Sequence, residues 1–263
     1  MKTKGQFILF ETLAEFAQFL EKPFAREVTR IQNHHTLIPS YGDFTGSNHF
    51  ALLAGIKAAH LERGFKDIGE NLTTFPDGTV AVCRSFEEDP ACAKGANTGA
   101  VCIENLGNFD KGRDRMKAAH RDCIVEVNAL LCRRFNLKVN TDTILYHHWF
   151  DLVTGKRTGG TGTTKSCPGT AFFGGNGVGE CRENFFPLVS AKLAELVGTP
   201  GPVASVRSPD GVLVVRSGPR ASSDPVGELR NGAVVHIHDA KGIWRRIDPV
   251  EPRWVSSRFL VAS

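Results

Sequence analysis

Apolar and polar positions alternate between two periods along most of this chain, and the change from one to the other outlines its elements. Leu13, Phe16, Phe19 and Leu20 recur at helical spacing and predict a short amphipathic helix near the N-terminus. Leu52, Leu53, Ile56 and Ala59 repeat that pattern between Phe50 and Glu62, and Gly64 ends it. From Glu70 the pattern shortens. Glu70 to Phe75 and Thr79 to Cys83 read as two strands joined by Pro76-Asp77-Gly78, a hairpin signal. Ala100 to Leu106 is a third strand, closed by Gly107-Asn108. The longest helical pattern runs from Asp114 to Phe135, and Thr143 to His147 returns to strand character. Strands interleaved with helices predict an α/β fold, a mixed central sheet flanked by helices.

The pattern changes again after Leu196-Val197. Gly198-Thr199-Pro200-Gly201-Pro202 breaks the preceding helix. Beyond it, Val206-Arg207, Val212 to Arg216, Ala233 to His238, Trp244 to Ile247 and Trp254-Val255 are short strand candidates. Asp210-Gly211, Asn231-Gly232 and Lys241-Gly242 punctuate them as turns. This spacing predicts a small all-β barrel. The expected organisation is therefore a helical extension over 1–25, a main domain over 26–198, a linker over 199–203 and a barrel over 204–263.

A chain of 263 residues can bury one full core and a smaller second one. The formal charge of +4 suits an anionic partner such as a cell wall or nucleic acid without selecting either, and simple solubility explains it equally well. No apolar run approaches the roughly 20 residues that span a bilayer, so no integral membrane segment is expected. Met1-Lys2-Thr3-Lys4 and Phe7-Ile8-Leu9-Phe10 briefly resemble a signal start. Glu11, Glu15 and Glu21-Lys22 interrupt it, and no small-residue cleavage site follows, so synthesis and folding in the cytoplasm are expected. The seven cysteines are odd in number and contain no Cys-x-x-Cys pair, which argues against a disulfide framework but leaves open one bridge such as Cys83 with Cys92. Cys123, among Ile124, Val127, Leu130 and Leu131, reads as a small buried hydrophobe.

Cys167 stands apart. Pro168-Gly169 fixes the turn that presents it, because proline sets its own φ and restricts the residue before it. Two histidine pairs, His34-His35 and His147-His148, end strand-like runs. Two His and one Cys make a zinc ligand set that leaves a fourth position open, the pattern of a catalytic site. Neighbouring strand residues point to opposite faces, so one histidine of each pair should face a common site. The plain alternative is a buried polar cluster satisfied by backbone carbonyls. Glu104, in an otherwise apolar strand, is the candidate general base, since desolvation raises a carboxyl pKa. Its alternative is an edge-strand carboxylate facing water. Lys165, two residues before Cys167, is positioned to steady an oxyanion, or else is a solvated loop lysine.

Taken together these residues resemble the zinc-dependent type 2 N-acetylmuramoyl-L-alanine amidases, which share a fold with peptidoglycan recognition proteins. The resemblance spans roughly Arg26 to Val197. It rests on Asn33-His34-His35-Thr36, on Phe75-Pro76-Asp77-Gly78-Thr79 leading to Arg84, on Asn97 to Gly107, and on Lys165-Ser166-Cys167-Pro168-Gly169. It implies Zn²⁺ as cofactor, with His34, His147 and Cys167 as ligands and Lys165 as the transition-state lysine. The chain departs from the family at the base: where many members carry tyrosine it reads Gly69-Glu70-Asn71-Leu72. Other members place a glutamate in an Ile-Gly-Ile-Glu strand, matched here by Val101-Cys102-Ile103-Glu104, which favours Glu104 over Glu70. The implied reaction is hydrolysis of the amide between N-acetylmuramic acid and L-alanine, with peptidoglycan rather than nucleic acid as partner.

The C-terminal segment resembles a bacterial SH3 domain through Leu213 to Pro219, Val226 to Gly232, Trp244 and Trp254. The resemblance implies binding to cell-wall peptides, although the two tryptophans serve a barrel core equally well. A peptidoglycan receptor without catalysis and a zinc hydrolase of another amide are the rival functions. Action on the wall requires release or export from the cytoplasm. Thr154 to Thr164, rich in Gly and Thr, reads as a flexible loop bordering the cleft.

Overall fold

A computed structural model describes residues 1–198, 203–248 and 251–262. The chain forms two compact units, Met1–Leu193 and Ala194–Ser263. The first unit is built on a seven-stranded mixed sheet. Its strands are β1 (Lys2–Lys4), β2 (Phe7–Phe10), β3 (Arg30–His35), β4 (Leu72–Thr74), β5 (Val80–Val82), β6 (Ala100–Asn105) and β7 (Ile144–Tyr146). They lie in the order β1-β2-β5-β4-β6-β3-β7. β4, β6, β3 and β7 run parallel, while β5, β2 and β1 extend the sheet antiparallel. Parallel strands covered on both faces read as continuous apolar runs, which is the character of Ala100 to Ile103. β6 is therefore central, and Glu104 is not an edge-strand carboxylate.

Helices cover both faces. On one lies α3 (Ala118–Phe135), tied to β3 by reciprocal amide bonds between Asn33 and Asn128 at 2.8 and 3.1 Å. Since side chains alternate along a strand, Gln32 and His34 point to the opposite face. α2 (His49–Glu62) lies on that side, with Leu53 packed among Phe7, Leu9, Ile68, Phe75 and Ala81. α3 begins four residues later than the period suggests. The Asp114 carboxylate instead accepts from the Tyr41 and Asn108 N–H groups and holds the loop before the helix. Asn136 in the left-handed region (φ 54°) ends α3.

The first 25 residues contain the expected helix, α1 (Leu13–Leu20), started by a Thr12/Glu15 capping box. They are not only helical. Phe7–Phe10 pairs with β5 as β2, and burial of Phe7 and Leu9 in the core gives this apolar run its place. After β7 come a turn, His147–Trp149, and then α4 (Val178–Glu180), which leads through a π-helical segment, Cys181–Phe185, into α5 (Phe186–Gly198).

The cysteine pairing differs from the one bridge considered from sequence. Cys92 is bonded to Cys102, while Cys83 is a free buried thiol beside the Thr73 hydroxyl. The loop after β5 explains this. Asn97 Oδ1 accepts from the Cys92 and Ala93 N–H groups and folds that stretch back over β6, away from Cys83. Cys123 is buried as expected.

The second unit is all β. β9 (Val212–Arg216), β10 (Pro225–Arg230), β12 (Asp239–Lys241), β13 (Trp244–Arg246) and β14 (Trp254–Ser256) form one sheet. β8 (Val203–Val206), β11 (Val234–His236) and β15 (Leu260–Ala262) form another. Ala204, Val206, Leu213, Val215, Val235 and Val255 make its core. Trp254 is buried and Trp244 half-buried. The predicted linker lies outside the described residues except Val203, which opens β8.

Candidate metal centre and its cleft

The C-terminal end of β3 and the turn after β7 bring His34 and His147 face to face. Their Nδ1 atoms are 3.2 Å apart and both rings are buried. Cys167 comes from the turn fixed by Pro168-Gly169, and one donor atom each from His34, His147 and Cys167 lie within 4.8 Å of one another. Gly169 is needed there: at φ +120° a Cβ would stand 2.5 Å from the carbonyl carbon of Phe109.

The turn is anchored from several sides. His148 donates its N–H to the Cys167 carbonyl and its Nδ1–H to the Lys165 carbonyl, both at 2.7 Å. Asp110 accepts from the Ser166 hydroxyl and the Thr170 N–H, each at 3.0 Å. These contacts also separate the histidine pairs. His148 is spent on the loop, and His35 Nδ1 accepts the Phe109 N–H at 3.1 Å while its own N–H reaches Cys167 Sγ at 3.3 Å.

Gln32 fixes the chemistry of His34. Its Nε2 donates to the Ala96 carbonyl at 2.7 Å, so its Oε1 is the atom that faces His34 Nε2 at 3.2 Å. His34 Nε2 therefore carries the proton and Nδ1 presents its lone pair toward His147. Burial holds the His34 pKa well below the ordinary value, aided by the charges of His147 and Lys165, and lowers that of His147 to about 4. Both rings are neutral at physiological pH, as metal ligation requires. The residues fit zinc. Two nitrogens about 2.0–2.1 Å from one tetrahedral zinc stand about 3.3 Å apart, close to the observed separation. Burial, with the neighbouring Glu104 charge, pushes the Cys167 thiol well up; a cation at this point reverses that preference.

His34, His147, Cys167, Glu104 and Lys165 line one cavity of about 630 Å³, walled also by Ile56, Ala59 and His60 of α2 and by Arg63 just after it. Glu104 Oε1 is 4.0 Å from His34 Nδ1, and its Oε2 is buried without a hydrogen bond. Desolvation raises its pKa well above the usual carboxylate range, with the Glu70 charge adding to the effect. Lys165 is exposed at the rim, where its charge depresses the histidine pKa values. Glu70 is fully buried, does not line the cavity, and has its pKa raised by burial to about 7.

Gln32 was missed in the sequence, though its place two residues before His34 puts both on one strand face. The segment Thr154 to Thr164 does not line the cavity. Asp151 organises it, accepting from Val153, Thr154 and Thr163, so its Gly-Thr composition serves tight turns.

Solved structures similar to the chain include N-acetylmuramoyl-L-alanine amidase LysC from Clostridium intestinale. It is 22% identical with a TM-score of 0.43, covering 66% of this chain and 91% of that one. Drosophila PGRP-LB is 19% identical with a TM-score of 0.45, covering 61% and 82%. No curated protein matches the chain. The bacterial SH3 domain family matches residues 211–261. The family described as N-acetylmuramoyl-L-alanine amidase matches residues 24–170, more than half of the chain and all three candidate metal ligands. The chain belongs to the N-acetylmuramoyl-L-alanine amidase family and carries a bacterial SH3 domain behind it.

Proposed function

We propose that the protein is a zinc-dependent peptidoglycan hydrolase that cleaves the amide between N-acetylmuramic acid and L-alanine. The observation that carries this reading is the convergence of His34, His147 and Cys167 in a cavity shared with one half-buried carboxylate and one lysine. A zinc ion held by those three residues would supply a Lewis acid that polarises the scissile carbonyl and acidifies a water. Glu104 takes the proton from the attacking water and delivers it to the leaving nitrogen of L-alanine. Desolvation raises its pKa above the usual carboxylate range, the direction in which it takes up a proton more readily. Lys165 holds the negative charge that develops on the carbonyl oxygen. The apolar side chains Ile56 and Ala59 line the cleft beside these groups, limiting water around the reacting atoms.

On this reading residues 26–198 form the catalytic domain, with 1–25 completing its sheet and covering it. Residues 204–263 form a module that holds the enzyme on wall peptides, and the enzyme works on the wall after release or export. Among the described residues no helix is long and apolar enough to cross a membrane.

The test is mass spectrometry of purified peptidoglycan after incubation with the protein, with and without a zinc chelator. Release of stem peptides that begin at L-alanine, lost with chelator and restored by zinc, supports the assignment. Retained wall binding with no cleavage by zinc-loaded protein points instead to a receptor.

A further inference from the structure

The disulfide Cys92–Cys102 lies against the candidate metal centre. On β3 and β6 the register pairs Gln32 with Cys102 and His34 with Glu104, so these four side chains share one face of the sheet. Cys92 reaches over from the neighbouring loop and lines the same cavity. One donor atom each from His34, Cys92 and Cys102 lie within 4.8 Å of one another. His34 thus belongs to two clusters of metal-ligand type, one with His147 and Cys167 and one with the two bonded cysteines.

We propose that Cys92, Cys102 and His34 form a second site, gated by redox state, for a thiophilic divalent cation of the zinc class. Two thiolates and one imidazole make a zinc ligand set with a position to spare. The Cα atoms of the two cysteines are 6.7 Å apart, at the wide end of what a disulfide spans, so the sulfurs can separate around a cation without movement of the backbone. The loop does not need the disulfide to stay in place. Asn97 holds Cys92 and Ala93 by their N–H groups, and Gln32 holds the Ala96 carbonyl. Opening the bond therefore leaves both thiols facing His34.

The step balances with a dithiol reductant. The reductant becomes a disulfide and gives up two electrons and two protons, and the Cys92–Cys102 bond breaks to two thiols. Cation binding then forms two metal–sulfur bonds and releases both thiol protons to water. His34 presents one lone pair, on Nδ1 while Gln32 holds the Nε2 proton, so it serves one cluster at a time, and a cation on Cys92 and Cys102 must take that same nitrogen or displace the Gln32 contact. In a reducing compartment the cation at the second site withholds His34 from His147 and Cys167. Oxidation closes the disulfide and returns His34 to them. That catalytic consequence rests on the amidase reading; the second site itself does not.

Two measurements on the full chain test the site, and neither depends on wall cleavage. In the first, a His147→Ala/Cys167→Ser variant is titrated with Co²⁺ as the optical probe. The reduced variant should bind one Co²⁺ with thiolate-to-cobalt charge-transfer absorption. That absorption should be absent after disulfide formation and after adding Cys92→Ser/Cys102→Ser. In the second, the reduced wild-type chain is alkylated and mapped by mass spectrometry with and without Zn²⁺, which avoids any folding defect of the variants. Zinc should slow alkylation of Cys92 and Cys102 together by about tenfold or more, the loss expected where thiolates are metal-bound rather than free. Equal alkylation with and without zinc, or a cobalt–thiolate band that survives loss of both cysteines, overturns the proposal and leaves the pair a structural cross-link. If peptidoglycan is not cleaved but protection is seen, the amidase reading fails and the second site stands.

Discussion

Gln32 Oε1 and His34 Nε2 stand 3.2 Å apart on one face of β3, and this contact decides which nitrogen of His34 is left for a metal. The Gln32 amide cannot turn round without losing its bond to the Ala96 carbonyl. Replacing Gln32 with Leu removes the acceptor and frees the tautomer. Partners of metal-bound histidines typically contribute about 10–100-fold in affinity. Gln32→Leu should therefore weaken zinc binding by that factor in a chelator-competition titration, while Gln32→Glu, which keeps an acceptor, should recover most of it. Equal zinc affinity for Gln32→Leu and wild type would show that the contact does not orient the ligand.

Glu70 is fully buried, whereas Glu104 is half-buried and opens on the cavity. Glu104→Gln keeps the shape and removes the proton acceptor. General acid–base groups contribute about 10²–10⁴-fold to rate. Glu104→Gln should lose kcat on muramyl peptides in that range while still binding one zinc by elemental analysis. Glu70→Gln should lose only a small part of that. The opposite ranking would transfer the role of base to Glu70.

The sheet, its helices and the candidate ligand cluster were legible because each is written locally. β6 is an apolar run closed by Gly107-Asn108, α2 shows the helical period, and Cys167 is framed by Pro168-Gly169. The residues alone left His147 and His148 open, since neighbouring strand positions allow either one to face the site, and the resemblance to the family chose His147. They occupy a tight turn, where His148 is held on the Lys165 carbonyl and His147 faces His34. β2 was hidden because four apolar residues carry no period that separates strand from helix or leader, and only the edge offered by β5 decides. The Cys92–Cys102 pair was equally unreadable. Its partners meet through a loop that Asn97 folds back by local contacts with Cys92 and Ala93, which the cysteine spacing does not encode.

Burial of Glu70 has a signature in stability. Its carboxyl titrates near 7 in the folded chain against an ordinary value of 4.5. Between those values the unfolded chain has released this proton and the native chain still holds it. The contribution to stability therefore falls as pH rises from about 4.5 to about 7 and is flat above. At 1.36 kcal/mol per pKa unit the full effect is on the order of 3 kcal/mol as an upper bound, shared with the neighbouring Glu104. Glu70→Gln removes this titration. Urea unfolding of the two proteins should show the variant gaining stability relative to wild type between pH 5 and pH 8. A difference independent of pH would mean that Glu70 is not the group responsible.

In the second unit, Trp244 and Trp254 lie on paired strands but have different surroundings. Trp254 is 5% exposed, next to the Val255 core and under the Lys241 ammonium, which sits 5.7 Å from its ring centre. Trp244 is only half-buried, which leaves part of its indole free to stack on a ligand. Trp→Ala in a core costs about 3–5 kcal/mol, much of the stability that so small a barrel can have. Trp254→Ala in the full chain should abolish the cooperative unfolding of this unit, followed by the fluorescence of Trp244. Trp244→Ala should keep that transition, followed by Trp254, and lower the fraction of protein that sediments with purified peptidoglycan. If Trp244→Ala sediments as wild type does, the indole is a packing residue and wall contact lies elsewhere on the barrel. A paired loss of folding in both variants would instead make the two tryptophans one core, with neither available to a peptide.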